Sequence, residues 1–306
     1  MKKRAVGARL RRYFTELPAP LAVFQVGASS FAGLRFPARD GAPVGRFLQP
    51  LAKGLVQPSF DRTNITDSAA LESLVSEGLK RLGLHRGPAA LLVPELCARV
   101  FVVDLDSRPV SAEEEEDVFR WRVKKQFPLV PEDARWNLAS QPAGAGERIV
   151  GVLARAAVIR EYEALFARTR VRISTVTLPS LSLARLLERT AEDNVVLVNA
   201  EETALTVTAF VGDAFSLHRL KPLAADAAAA LVAQEAENTI HFLEDREKTR
   251  VQAVWVRSTL ADGEDGLIAA LGERLGLPVR PASDLTASFL DPKEGRFLGP
   301  LAGVAR

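Results

Sequence analysis

The sequence predicts an α/β protein of two similar lobes facing each other across a cleft. Three observations predict it. Residues 21–26 and 31–36 are short apolar runs around the small-residue turn Gly27-Ala28-Ser29-Ser30, a hairpin. At about two-thirds of the length, the apolar run 195–198 and the alternating runs 205–211 and 214–220 are separated by Asn199-Ala200-Glu201-Glu202 and Gly212-Asp213, a three-stranded meander. Each hairpin is followed by helical material, so the chain reads as two related halves whose turns point into a shared space.

The elements follow in order. Residues 45–50 extend the first hairpin as a third strand. Residues 67–82 form a helix: Asp67 caps it, Leu71, Leu74, Val75, Leu79 and Leu82 share one face, and Gly83 ends it. Residues 89–93 are a buried strand closed by Pro94-Glu95, and 99–105 are another. Ser111 and Glu114 make a capping box for a helix over 111–127. The acidic run 113–117 lies at the positive end of its dipole, Arg120, Arg122, Lys124 and Lys125 lie toward the other end, and Pro128 stops it. Consecutive helical residues point in different directions, so the acidic run is helix electrostatics and not a metal site. Residues 135–141 and 148–154 pair around Gly144-Ala145-Gly146. Val158, Ile159, Tyr162, Leu165 and Phe166 line a helix, 171–177 is a strand, and Pro179 opens a helix through Leu187. After the meander come a helix over 224–244, a strand over 251–256, a helix over 266–275, a short strand at Leu277-Pro278-Val279 and a terminal helix over 297–304.

Composition narrows the function classes. The 306 residues suit two lobes of roughly 100–150 residues each. A net charge of +2 gives no bulk field for nucleic acid. The single cysteine, Cys97, excludes an internal disulfide and fits a reducing cytoplasm. His85, His218 and His241 lack metal-ligand spacing, and no apolar run is long enough for a membrane span, the Ala-rich stretch 223–232 being broken by Asp226. The first residues differ from the rest. Lys2, Lys3, Arg4, Arg9, Arg11 and Arg12 accompany Val6, Leu10, Tyr13 and Phe14 on one helical face. That is either a solvated tail or a basic amphipathic helix making peripheral contact with anionic lipid.

Four places, in order, carry a resemblance. They are the opening hairpin Val26-Gly27-Ala28-Ser29-Ser30; Val93-Pro94 with strand 99–105 and the helix end Trp121-Arg122-Val123-Lys124-Lys125-Gln126-Phe127-Pro128; the meander 195–210; and Leu275-Gly276-Leu277-Pro278-Val279 with Leu298-Gly299-Pro300-Leu301-Ala302-Gly303. Together they resemble the PilM family, the actin-like cytoplasmic proteins of bacterial type IV pilus machinery, and the related cytoplasmic part of type II secretion platform proteins. The resemblance implies an actin-like, ribonuclease H-like duplicated fold with an inserted α+β subdomain. It implies a basic N-terminal segment 1–18, a first lobe 19–92, the insert 93–176, and a second lobe 177–306 that returns to the first.

The departures from the family pattern concern nucleotide chemistry. Where actin-like ATPases place an Asp two residues before the first-loop Gly, this chain has Gln25 before Gly27. A neutral amide does not supply the charge a hard cation prefers. Where the family's second loop has Asp followed closely by Gly, this chain has Asn199-Ala200-Glu201-Glu202, without glycine's freedom and with two carboxylates facing the phosphate position. The adenosine loop is Arg257-Ser258-Thr259, with no Gly-Gly pair. Gln25, Gly27, Ser29, Ser30, Asn199, Glu201, Glu202 and Ser258 therefore read as a relict cleft with no metal and no favoured ATP/Mg binding. Ser29 and Ser30 read as turn residues before phosphate ligands.

Activity then resides in surfaces. The resemblance implies that a PilN-like bitopic inner-membrane protein places its cytoplasmic N-terminal segment in a groove between first lobe and insert. Such a scaffold sits at the cytoplasmic face of the inner membrane and serves other platform or motor components. The groove residues implied here are Leu92, Val93, Phe101, Phe119, Trp121 and Val123, with the reading open that Phe119 and Trp121 are core. Arg120, Arg122, Lys124 and Lys125 are contacts for an acidic partner or lipid, or merely solvated. Two other classes stay open: an active actin-like ATPase or sugar kinase using a carboxylate of the second turn as general base, and an FtsA-like filament-forming scaffold.

Overall fold

In the computed structural model, two five-stranded mixed sheets repeat one plan. The described residues are 20–304 except 38–40, 107–108, 128–129, 144–145 and 225–226. The basic segment 1–18, the stop at Pro128, the tip Gly144-Ala145 and the break at Asp226 lie outside them. The first sheet contains β1 (Ala22–Val26), β2 (Ser30–Arg35), β3 (Gly45–Pro50), β4 (Gly87–Leu92) and β8 (Val171–Thr177), in the order β3-β2-β1-β4-β8. The second contains β9 (Asn194–Glu201), β10 (Ala204–Val211), β11 (Ala214–Pro222), β12 (Ala253–Ser258) and β13 (Val279–Pro281), in the order β11-β10-β9-β12-β13. In each, the first three strands are an antiparallel meander and the last two add in parallel. The duplication is thus the same strand order read twice.

Helix α1 (Ser68–Arg81) crosses between β3 and β4, and Asp67 caps it by accepting the Ala70 N–H at 2.9 Å. The insert comprises β5 (Ala98–Leu105), α2 (Ala112–Gln126), β6 (Ala134–Ala143) and β7 (Gly146–Arg155), the strands in the order β5-β7-β6. It is shorter than the expected 93–176. Helix α3 (Ala156–Ala164) buries Val158, Ile159 and Tyr162 in the first-lobe core, and β8 pairs with β4 in the first sheet. The capping box of α2 is displaced by one residue: Ser111 Oγ accepts the Glu114 N–H at 3.1 Å, while Glu114 reaches the N–H of Val110 at 2.7 Å.

Helices α5 (Ala229–Glu247) and α6 (Gly263–Leu275) complete the second lobe. The inner faces of the two sheets share a core with α4 (Pro179–Ala184) and α7 (Pro292–Ala302): Val23, Leu34, Leu92, Leu183, Leu197 and Leu298 all lie in it. Several boundaries differ from expectation: α6 starts at Gly263 and not at 266, β12 covers Ala253–Ser258 in place of 251–256, and the short strand is Val279–Pro281 in place of 277–279. Helix α4 ends at Ala184. Helix α5 starts at Ala229. Helix α7 starts five residues before 297, because Asp291 accepts the Glu294 N–H at 3.0 Å and Pro292 supplies a preset first-turn φ.

The insert also touches the second lobe. Gln141 on β6 donates to the Phe215 carbonyl at 2.6 Å and accepts the Phe215 N–H at 3.1 Å, so one side-chain amide pairs with a strand backbone. Arg148 on β7 contacts Asp104 at 2.5 Å, Ser216 at 2.7 Å and Glu247 at 3.2 Å. The insert therefore braces both lobes.

Candidate functional site

The two hairpin turns do meet, and protein side chains join them. Gln25, last but one in β1, donates to Glu201 Oε1 at 3.4 Å, and Ser29 donates to Glu202 Oε1 at 2.5 Å. The second turn is displaced from its expected position. Strand β9 runs through Glu201, and the turn is Glu202-Thr203. Asn199 pairs opposite Thr206 within the sheet and is fully buried, so the polarity read as a turn is a buried polar layer. Gly27 makes the first turn by donating its N–H to the Ser30 carbonyl at 2.8 Å.

Arg257, at the end of β12 and 2% exposed, organises that layer. Its Nη1 donates to Asn199 Oδ1 at 2.6 Å and Glu201 Oε1 at 2.7 Å, and its Nε donates to the Arg296 carbonyl at 2.6 Å. Asn199 Nδ2 continues the chain to Glu95 at 3.3 Å, and Glu95 also accepts the Ser180 N–H at 2.6 Å and hydroxyl at 2.9 Å. Burial, and then the Glu201 carboxylate, push Glu95 up to about 8, so it carries its proton at neutral pH. Ser258 is buried and accepts the Leu260 N–H at 3.3 Å.

The polar groups of the cleft are engaged by the protein's own side chains. Gln25 and Asn199 are amides without the charge a hard cation prefers, Glu201 is paired to Arg257, burial raises Glu95 toward its protonated form, and Glu202 accepts the Ser29 hydroxyl. The guanidinium, the natural phosphate ligand here, is already bound to Asn199, Glu201 and the Arg296 carbonyl. Among the described residues no group of His, Cys, Asp and Glu has metal-site geometry.

A second concavity of about 890 Å³ opens between the first lobe and the insert. The loop Pro58-Ser59-Phe60-Asp61-Arg62 forms one wall, Leu96, Arg99 and Phe127 another, and Pro131 to Asp133 with Arg155 the rim. Its apolar floor is aromatic: Phe60 and Phe127 meet edge to face with centroids 5.6 Å apart, and Arg99 lies 4.9 Å over the Phe60 ring. Arg155 ties the walls by donating to Asp133 at 3.1 Å and to the Asp61 carbonyl at 3.0 Å. Hydrogen bonds hold both acids ionised: Ser59 lowers Asp61, and the Ala157 N–H, then Arg155, lower Asp133.

With this geometry in view, the solved structures decide the fold. The "PilM-PilN type IV pilus biogenesis complex" contains a chain that aligns over 94% of this one and 97% of its own, at a TM-score of 0.75 and 15% identity. The fold is PilM-like and actin-like. The ethanolamine utilization protein EutJ from Carboxydothermus hydrogenoformans aligns over 97% of this chain and 93% of its own, at a TM-score of 0.50 and 12% identity. The cytoplasmic domain of EpsL, from the type II secretion system of Vibrio cholerae, covers 78% and 82% at a TM-score of 0.47 and 10% identity, too loose to carry an argument. At these identities the likeness is one of fold. No protein-family model and no curated protein matches the sequence. No helix among the described residues is long and apolar enough to cross a membrane.

On this PilM-like frame the expected groove residues separate. Leu92 and Val93 are buried in the sheet cores, and Phe119 and Val123 are fully buried inside the insert, so none of these four presents a side chain to a partner. Phe101 is half-buried against Phe127, centroids 6.3 Å apart. Trp121 is 53% exposed with Lys125 3.7 Å over its ring, and it does not line the cavity. A helical residue two positions from Phe119 points the opposite way. Phe127, four beyond Val123, is the aromatic that reaches the groove. Sequence reasoning missed Phe60 and Arg155 in the groove and Glu95 and Ser180 in the cleft; Arg99, Phe127 and Arg257 lie in segments it marks without singling them out.

Proposed function

We propose that this chain is a scaffold of an inner-membrane assembly platform of the type IV pilus or type II secretion kind, placed at the cytoplasmic face of that membrane. It holds the cytoplasmic N-terminal segment of a single-span, PilN-like partner. The observation that carries this reading is the aromatic-floored concavity between first lobe and insert, on a fold like that of the PilM of a PilM–PilN complex. Phe60 and Phe127 offer apolar surface to one or two anchoring side chains, which is how helix and extended peptides gain most of their affinity in grooves. Arg62 and Arg99 lie beside it for carbonyl or carboxylate groups of the segment.

The cleft supports a scaffold that neither binds nor hydrolyses nucleotide. Its position between the hairpins is spanned by Gln25–Glu201 and Ser29–Glu202, and its strongest cation is spent internally. The test is in-cell photo-crosslinking from Arg62 in the groove and from His241 on the outer face of α5. A single-span inner-membrane protein crosslinked from Arg62 and not from His241 is the expected result. Crosslinks to soluble enzymes only, or equal yields from both positions, contradict it.

A further inference from the structure

The end of the first lobe opposite the hairpin turns is strongly basic. Lys80 and Arg81 close α1, Arg86 leads into β4, Arg168 and Arg170 lead into β8, and Arg172 is its second residue; all six are exposed. Strand pairing brings them together. Pro88 lies opposite Arg172, and the Gly87 N–H donates to the Arg170 carbonyl at 3.3 Å. Arg81 pairs with Glu77 and Arg168 with Glu72 at 3.5 Å, on partly solvated surface where such pairs hold charge loosely. Among the described residues Lys80, Arg86, Arg170 and Arg172 have no acidic partner.

The N-terminal segment joins the protein at this same face. The Leu21 N–H donates to the Pro88 carbonyl at 2.9 Å, and the Leu21 side chain lies against Gly87. The first twelve residues carry six cations and no acid, three times the net charge of +2 of the whole chain, so the remainder is net acidic. Positive charge is therefore concentrated at one end of the sequence. In the segment it alternates with Val6, Leu10, Tyr13 and Phe14, the composition of an interfacial helix. Among the described residues the exposed aromatics, which nucleic-acid stacking needs, are Trp121 and Phe242, on the insert and on α5.

We propose that this folded basic face, where the chain enters the first lobe at Leu21, is a docking surface for an anionic lipid bilayer. It stands independently of the scaffold reading, because vesicles contain no protein partner. The test is co-sedimentation of the full chain with vesicles of phosphatidylcholine alone and of equal parts phosphatidylcholine and phosphatidylglycerol. The chain is expected to pellet with the second and not the first. At about 1 kcal/mol, or about fivefold, per cation near such a surface, R86Q/R170Q/R172Q loses about a hundredfold in vesicle affinity. The control K248Q/K293Q on other faces stays within about twofold. All these side chains are exposed, and an unchanged melting temperature certifies each variant. Equal pelleting with both vesicle types, no loss in the triple variant, or tighter binding to polyuridylate than to anionic vesicles overturns the proposal.

Discussion

Arg257 is anchored by a carbonyl that Pro300 leaves free. In helix α7 the N–H of residue 300 would bond to the carbonyl of Arg296, but proline has none, and Arg257 Nε occupies that carbonyl at 2.6 Å. With its fork fixed there, the guanidinium faces Asn199 and Glu201. The terminal helix, the second-lobe sheet and the cleft are thus one unit.

Removing that guanidinium strands its acceptors. Arg257→Met is expected to cost about 3–5 kcal/mol in urea unfolding, the range for breaking one side of a buried charge pair. Arg257→Lys recovers only part, since an ammonium on a flexible stem does not reproduce the fork. A loss under about 1 kcal/mol for the Met variant contradicts the organising role.

Stability depends on pH through Glu95. Its value is raised from 4.5 to about 8 by burial and then by Glu201, so the folded chain holds this proton more tightly than the unfolded chain across that window. The contribution is complete below 4.5 and is lost as pH rises toward 8. Glu95→Gln imitates the protonated acid and is expected to flatten the decline of urea midpoints over that window. Glu264, raised by burial to about 7, leaves a shallower slope in the variant. An unchanged slope in Glu95→Gln contradicts the assignment.

The insert core tests packing. A Cβ on Gly151 of β7 would lie 2.1 Å from Phe119 Cζ, which the neighbouring rings and Leu138 leave no space to relieve. Gly151→Ala is expected to cost about 1–3 kcal/mol by overpacking, read as lost near-ultraviolet ellipticity and a lowered unfolding midpoint.

In the groove, Phe127→Ala is expected to weaken binding of the partner segment by 2 kcal/mol or more, about thirtyfold, as a buried aromatic anchor. Trp121→Ala leaves it within about twofold, because the indole sits on the outer face of α2. Fluorescence anisotropy with a labelled partner peptide separates the two variants, and the reverse order contradicts the groove assignment.

Much of the fold was legible because its signals are local. Asp67 and Gly83 bracket α1, and the alternation of 205–211 shows β10 directly. The cleft network was not, because its residues are distant in sequence and each has a local explanation. Glu95 follows a proline and reads as a turn; Asn199 to Glu201 read as a turn for their polarity. Arg257 was noticed for the glycine it is not. Yet an arginine ending the apolar run Val254-Trp255-Val256 is a signal, since a charge on a buried strand must find a partner. The groove aromatic was legible too: Phe119, Val123 and Phe127 are spaced four apart on one helical face, from which Trp121 is excluded.

Isothermal titration of the full chain with Mg-ATP tests most directly whether the protein's own side chains have replaced the nucleotide. The Arg257 clasp predicts no saturable heat up to millimolar nucleotide. Saturable binding in the micromolar range would contradict it.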